Sequence, residues 1–220
     1  MGNRRDAQSL RETMDAGVTL RKALRLLFVP WTDTEGTDQY DNVDIWKRAA
    51  AATEAGGVER YPKIFERVAY NGNPNPTLKT LRENDVMYVL GHCAPGSDKL
   101  WPYDDSADND PNALSSAMVA ERLIRTGLEK NWTGDLKLYA CHSASPGAGS
   151  QSFLKAFGEH LGDYRCHIWG YKEGVASYPE SQLAFDEGTG AMLGYTYIGN
   201  KMVSRSEARA STVREPLRRL

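Results

Sequence analysis

The sequence predicts an α/β domain: a mostly parallel sheet with helices on both faces and a hairpin near the C-terminus. Three observations predict it. Short apolar runs stand at 24–31, 85–91, 136–140 and 165–171. Segments of helical length and periodicity separate them, at 43–55, 114–130 and 151–161. The runs are mostly apolar and rich in β-formers, which marks strands covered on both faces. Strands alternating with helices in this way build a parallel sheet. A chain of 220 residues is long enough to bury one real core, so one domain is expected over 24–205. Residues 1–23 read as an N-terminal helical arm and 206–220 as a basic C-terminal tail.

The elements follow in order. In the arm, Leu10, Met14, Val18 and Leu20 fall on one side of a helix. The first strand, from Leu24, is ended by Pro30 and Trp31. A polar, acidic loop leads to the helix at 43–55, which Gly56-Gly57 stops. Residues 58–84 are broken by Pro62, Pro74 and Pro76, and Lys63–Tyr70 fits either a strand or a short helix. Asp85–Gly91 is a buried strand. The helix at 114–130 sets Leu114, Met118, Ile124 and Leu128 on one face. Leu136–Ala140 is a strand with a Gly-, Ser- and Pro-rich loop behind it. The helix at 151–161 turns Phe153, Leu154, Phe157 and Leu161 inward, and Arg165–Tyr171 is the next strand. Gly194–Ile198 and Met202–Arg205 flank Gly199-Asn200-Lys201 as a hairpin.

Composition removes several function classes. A net charge of −2 leaves no electrostatic footprint for nucleic acid. No apolar run approaches the roughly 20 residues of a membrane helix. The opening residues Met1–Asp6 lack the apolar stretch of a signal peptide, and Asp6 stands where myristoylation after Gly2 wants Ser or Thr. The expectation is a cytoplasmic protein, or one exported without a cleaved signal peptide. Three cysteines are too few for a disulfide scaffold and suit free thiols.

Every cysteine has a histidine neighbour: His92-Cys93, Cys141-His142 and Cys166-His167. In open α/β sheets the functional crevice lies beyond the carboxyl ends of the strands. His92-Cys93 and Cys141-His142 both stand there, on strands joined by a single helix and therefore expected to be neighbours about 5 Å apart. Cys166-His167 begin their strand and belong to the opposite end. A thiolate nucleophile needs an imidazole close in space, not in sequence. His92 and Cys141 meet that requirement. The backbone N–H groups of Cys141 and Cys93 then supply an oxyanion site.

An apolar strand ending in His, a helix, and an apolar strand ending in Ala-Cys resembles the caspase-like cysteine peptidases. The residues are Val86-Met87-Tyr88-Val89-Leu90-Gly91-His92 and Leu136-Lys137-Leu138-Tyr139-Ala140-Cys141. The loop Gly91–Ser97 is similar to that of bacterial members, among them the self-processing domains of large toxins. The resemblance implies a caspase-like three-layer sandwich over roughly 24–200, with His92 as catalytic histidine and Cys141 as nucleophile. It implies a dyad without an acidic third member, no cofactor, no metal, and a protein or peptide substrate. It also implies a bacterial effector or processing protease. Glycine normally follows the histidine in this family; Cys93 stands there, and its side chain is expected to narrow the oxyanion site. The residues themselves leave two other readings open: a caspase-like binding module that does not cut, and another thiol enzyme such as a transferase or deamidase.

Competing motifs fail on their own chemistry. A shared zinc site would need ligands from opposite ends of the sheet, and no C-x-x-C is present. Gly91 and Gly96 imitate a phosphate loop, but Ser97-Asp98 replaces its Lys-Ser/Thr. Ser143 lacks a nucleophile elbow. The run Asp104–Asp110 lacks the central Gly and terminal Glu of a calcium loop. Two acidic loops leave the expected functional edge: Asp33, Glu35, Asp38, Asp41 and Asp44, and Asp104, Asp105, Asp108 and Asp110. Such a rim favours a basic peptide. Asp33 and Asp104, with Trp31 and Trp101 near the same edge, are the expected substrate contacts.

Overall fold

A computed structural model describes residues 23–39, 64–103, 109–172, 183–185, 192–198, 201–204 and 214–217. Its centre is a six-stranded sheet. In chain order the strands are β1 (Leu24–Val29), β2 (Ile64–Ala69), β3 (Val86–Leu90), β6 (Asp135–Tyr139), β7 (His167–Tyr171) and β11 (Arg214–Pro216). They lie side by side as β11-β7-β6-β3-β1-β2. Every pairing is parallel except that of β11 with β7. Two short strands, β4 (Lys99–Leu100) and β5 (Leu114–Ser115), pair with each other, and β8 (Leu183–Phe185), β9 (Met192–Ile198) and β10 (Lys201–Ser204) form a separate antiparallel sheet. The ambiguous segment after Lys63 is thus a strand, and the expected hairpin is present as β9 and β10. The helices expected within 1–23 and 43–55 lie outside the described residues.

Register explains the core. Leu26, Met87, Leu136 and Ile168 are partners across four adjacent strands, and all are buried. Next to that row run Leu27, Tyr88, Lys137 and Trp169, a mixed row. Burial pulls the Lys137 ammonium below its ordinary pKa. At the amino ends, the buried Asp85 carboxylate accepts from the N–H of Leu24 at 2.7 Å and of Arg82 at 2.7 Å, fixing the start of β1 against β3.

Helix α1 (Ser116–Thr126) starts on Ser115, whose hydroxyl accepts from the Met118 N–H, and stops at Gly127, which takes φ 109°. Helix α2 (Phe153–His160) starts on Ser152, which accepts from the Lys155 N–H. The two helices pack on one another and α2 on β7. The residues expected to turn inward are buried: Phe153, Leu154 and Phe157 of α2, and Leu161, which caps it. The face expected for α1 is corrected. Val119, Ala120 and Leu123 are buried, whereas Met118 and Ile124 are exposed at 42% and 37%. Leu114 lies in β5 and Leu128 follows the Gly127 stop, so neither belongs to the helix whose phase it was meant to set.

One strand of the main sheet comes from beyond residue 205. Arg214–Pro216, within the segment read as a tail, forms the edge strand of the main sheet. Arg214 stacks over Trp169 at 4.0 Å, and Leu217 packs against the core. A three-residue Arg-Glu-Pro strand carries no apolar signature of its own.

Candidate active site

All parallel strands deliver their carboxyl ends to one edge. β3 and β6 are hydrogen-bonded neighbours with Leu90 opposite Tyr139. Two residues further on, each chain leaves the sheet, at His92 and at Cys141. The two residues thus leave the same edge of the sheet from neighbouring strands, Cys141 through the bend in which the Ala140 N–H donates to Leu138 O at 2.8 Å.

His92 does not run free into a loop. It exchanges both backbone hydrogen bonds with Trp101, at 3.0 and 2.9 Å, in an antiparallel bridge. Its Nε2 lies 3.0 and 3.2 Å from the two carboxylate oxygens of Asp38. Gln39, itself buried, donates its amide to Asp38 Oδ1 at 2.7 Å and touches His92 Nε2 at 2.7 Å. Asp38 was expected on an open acidic rim; it is instead set against the imidazole.

Cys141 opens a tight turn. His142, directly after it, has φ 53°, the one positive φ among described non-glycine residues. The turn is stitched to the end of β7. The fully buried Ser143 donates its hydroxyl to Leu138 O at 3.0 Å and accepts from the Tyr171 N–H at 3.0 Å. Ala144 N–H donates to Tyr171 O, and His142 Nδ1 lies 3.0 Å from Lys172 O. Cys141 is not in a disulfide, and its residue is partly exposed. Burial pushes the Tyr139 phenol well above its ordinary range, and Tyr88 and Cys141 push it the same way.

The two loops are clamped together. Gly96 N–H donates to Ser145 O at 2.8 Å, and Ser150 Oγ donates to Gly96 O at 3.0 Å. Gly96 has φ 73°, and a Cβ there would meet Gly147 Cα at 2.4 Å. Only glycine allows this approach. Beyond the cysteine turn opens a cleft of about 840 Å³, bordered by Ser145, Ser150, Ser152, Lys155, Lys172 and Glu215.

The other expected residues fall variously. Cys93 is buried in the core cluster, its thiol 3.4 Å from Ala94 O. Its side chain is therefore turned inward, contrary to the narrowing expected of it. Trp31 is 0% exposed and donates its indole N–H to Asn112 O at 2.7 Å, so it packs the interior and has no surface to offer a substrate. Trp101 stands opposite His92 and is partly exposed, with its indole nitrogen buried and unpartnered. Asp33 is exposed on the loop after β1, and Asp104 lies outside the described residues. Cys166-His167 stand at the amino ends of the strands, His167 opposite Asp135. Among the described residues, no three of His, Cys, Asp and Glu converge on a possible metal position.

The acidic rim is smaller than its count. Glu35 is bound by Arg122 through two contacts of 2.6 Å and accepts from the Thr32 N–H at 2.8 Å. The Arg122 guanidinium holds the Glu35 carboxyl well below its ordinary range, at about 2. Glu35 and Asp38 are thus engaged by partners within the protein, and the cleft bordered by Ser145 and Ser150 carries two lysines against one glutamate, with Lys172 and Glu215 paired at 2.8 Å.

No protein-family model matches the chain, and no curated protein matches it in sequence.

Proposed function

We propose that the protein is a cysteine peptidase of caspase-like type, acting through His92 and Cys141 on a protein or peptide substrate. The observation that carries this reading is the adjacency of β3 and β6 in a register that brings His92 and Cys141 out of the same sheet edge, on loops held together by Gly96 and Ser145. The left-handed residue behind Cys141 adds to it, since backbone in sparsely populated regions clusters at reactive turns.

In the proposed reaction the Cys141 thiol passes its proton to the His92 imidazole. The sulfur attacks the scissile carbonyl carbon, an S–C bond forms, and the carbonyl electron pair moves onto oxygen. The N–H groups of Cys141 and Cys93 stabilise that oxyanion. Collapse breaks the C–N bond, and His92 returns the proton to the leaving amine. Water, deprotonated by His92, then splits the thioester, giving the carboxylic acid and the free thiol. With its side chain in the core, Cys93 offers this site only backbone.

The test pairs a thiol-directed peptidyl probe with a mixed peptide library, applied to the protein and to Cys141→Ala and His92→Ala. Cleavage by the unaltered chain, falling by about three orders of magnitude or more in each variant, is expected. Labelling of Cys141 without cleavage would replace the peptidase with another thiol enzyme. No labelling and no cleavage would leave a binding module.

A further inference from the structure

We infer that Ser143 is a positioning residue for Cys141: its hydroxyl replaces a lost bond of the sheet, and the turn it anchors holds the cysteine at the end of β6, where that strand is still paired with β3. The inference rests on the peptidase reading for its kinetics and on geometry for the rest.

The pairing of β6 with β7 stops early. Its last partners are Lys137 and Trp169, while the strands run on to Tyr139 and Tyr171. On its other side β6 stays paired with β3 to the end, Tyr139 opposite Leu90. His167 N–H donates to Gly134 O at 3.0 Å. Donors in a parallel ladder recur at every second residue, so Tyr171 N–H is due at Leu138 O and Ala140 N–H at Tyr171 O. The strands themselves fill neither place. The Ser143 hydroxyl takes the first: it accepts from the Tyr171 N–H and donates to Leu138 O, each at 3.0 Å. Ala144 N–H takes the second, donating to Tyr171 O at 2.8 Å, and the Ala140 N–H turns back to Leu138 O at 2.8 Å.

The turn thus enters the seam between β6 and β7 as a wedge. Ser143 is fastened in it by its backbone as well: its N–H donates to Ala140 O at 3.3 Å, and its carbonyl accepts from the Leu154 N–H of α2 at 2.7 Å. A hydroxyl can donate and accept at once, which this buried place demands and a methyl group cannot meet. β7 makes room at Gly170, where an added Cβ would stand 3.1 Å from Ala144 Cβ and 3.2 Å from Ala144 N. Glycine inside a strand marks such a close approach of another backbone. Ser143, Ala144 and Gly170 therefore keep the seam open. Cys141 and the left-handed His142 occupy the short span between the last paired residue of β6 and this anchor. Without the hydroxyl, Tyr171 N–H loses its partner and the ladder's own bond to Leu138 O can close. Closure draws β6 toward β7 and shifts the turn that carries Cys141 away from the strand that carries His92.

Ser143→Ala and Ser143→Thr in the full chain test this, with urea unfolding to establish that each variant is folded. Alkylation of Cys141 by iodoacetamide is followed by mass spectrometry of its peptide. Alanine is expected to slow that alkylation at pH 7 by about 10-fold, to move its pH profile upward, and to lower kcat by about 100-fold with KM within about twofold. Threonine keeps the hydroxyl and is expected to recover part of each. Alanine with the alkylation profile and kcat of the unaltered chain would refute the role. If Ser143→Ala does not fold, Gly170→Ala decides, because its methyl group presses on Ala144 while the hydroxyl stays. Slowed alkylation there supports the wedge, and unaltered alkylation overturns it. The readouts separate the two claims. If the chain cuts no peptide in any form, the peptidase reading fails while alkylation still decides on Ser143.

Discussion

Glu35 shows what one side chain contributes to a loop that lacks regular structure. Its pKa falls from 4.5 to about 2, chiefly through the Arg122 hydrogen bonds. A carboxyl whose folded pKa is depressed adds stability that is fully present above its unfolded pKa and lost as pH falls through the folded value. At full weight this shift is worth about 3 kcal/mol. The side chains are 13% and 26% exposed, and solvent screening brings the expected contribution to about 1–2 kcal/mol. Glu35→Gln is therefore expected to lose that amount in urea unfolding at pH 7, where it leaves Arg122 without its charge partner. The deficit should shrink as pH falls from 4.5 toward about 2. A deficit that persists unchanged at the acid end would show that the carboxylate charge is not what Arg122 grips. The same residue marks a limit of sequence reading. Asp33, Glu35 and Asp38 look alike as acids in one loop, yet one is exposed, one clamps α1, and one meets His92. Their difference comes from partners more than fifty residues away, which local chemistry does not display.

At the scale of the element, strands were more legible than the faces of helices. Val86–Leu90 announces itself because a strand buried in a parallel sheet needs apolar residues in succession, and Asp135–Tyr139 by its buried Leu136, Leu138 and Tyr139. That same property set His92 and Cys141 at strand ends without any contact being known. Helix α1 was harder, because its true boundaries are Ser115 and Gly127. Leu114 and Leu128, just outside them, pulled the apparent apolar stripe toward Met118 and Ile124. The buried stripe runs instead through Val119, Ala120 and Leu123. The two assignments predict opposite outcomes. Leu123→Ala removes a side chain with 0% exposure and should cost about 2–4 kcal/mol. Met118→Ala touches an exposed position and should stay within about 0.5 kcal/mol. Thermal or urea unfolding of the two variants checks this, and comparable losses in both would return the helix to its earlier phase.

For the molecule as a whole, the chain closes its main sheet with a strand from near its C-terminus, and that closure bears on α2. Leu217 follows β11, and its N–H donates to Ile168 O at 2.8 Å. Its side chain reaches α2 at Gly158, where an added Cβ would stand 2.2 Å from Leu217 Cδ2. Glycine inside a helix is ordinarily about 1 kcal/mol worse than alanine. At position 158 the close approach of Leu217 makes it the residue that fits. The two positions should therefore be strongly coupled. Gly158→Ala is expected to destabilise the otherwise unaltered chain, because Leu217 must leave its contact. In a Leu217→Ala background the collision is gone, and the same substitution should stabilise by up to about 1 kcal/mol through helix propensity alone. A double-mutant cycle in urea unfolding measures the difference. Additive effects would mean that Leu217 does not sit on α2. Coupling would tie the C-terminal strand to the helix that begins at Ser152, directly behind the loop that carries Cys141, so that residues after 205 help hold the cysteine side of the site in place.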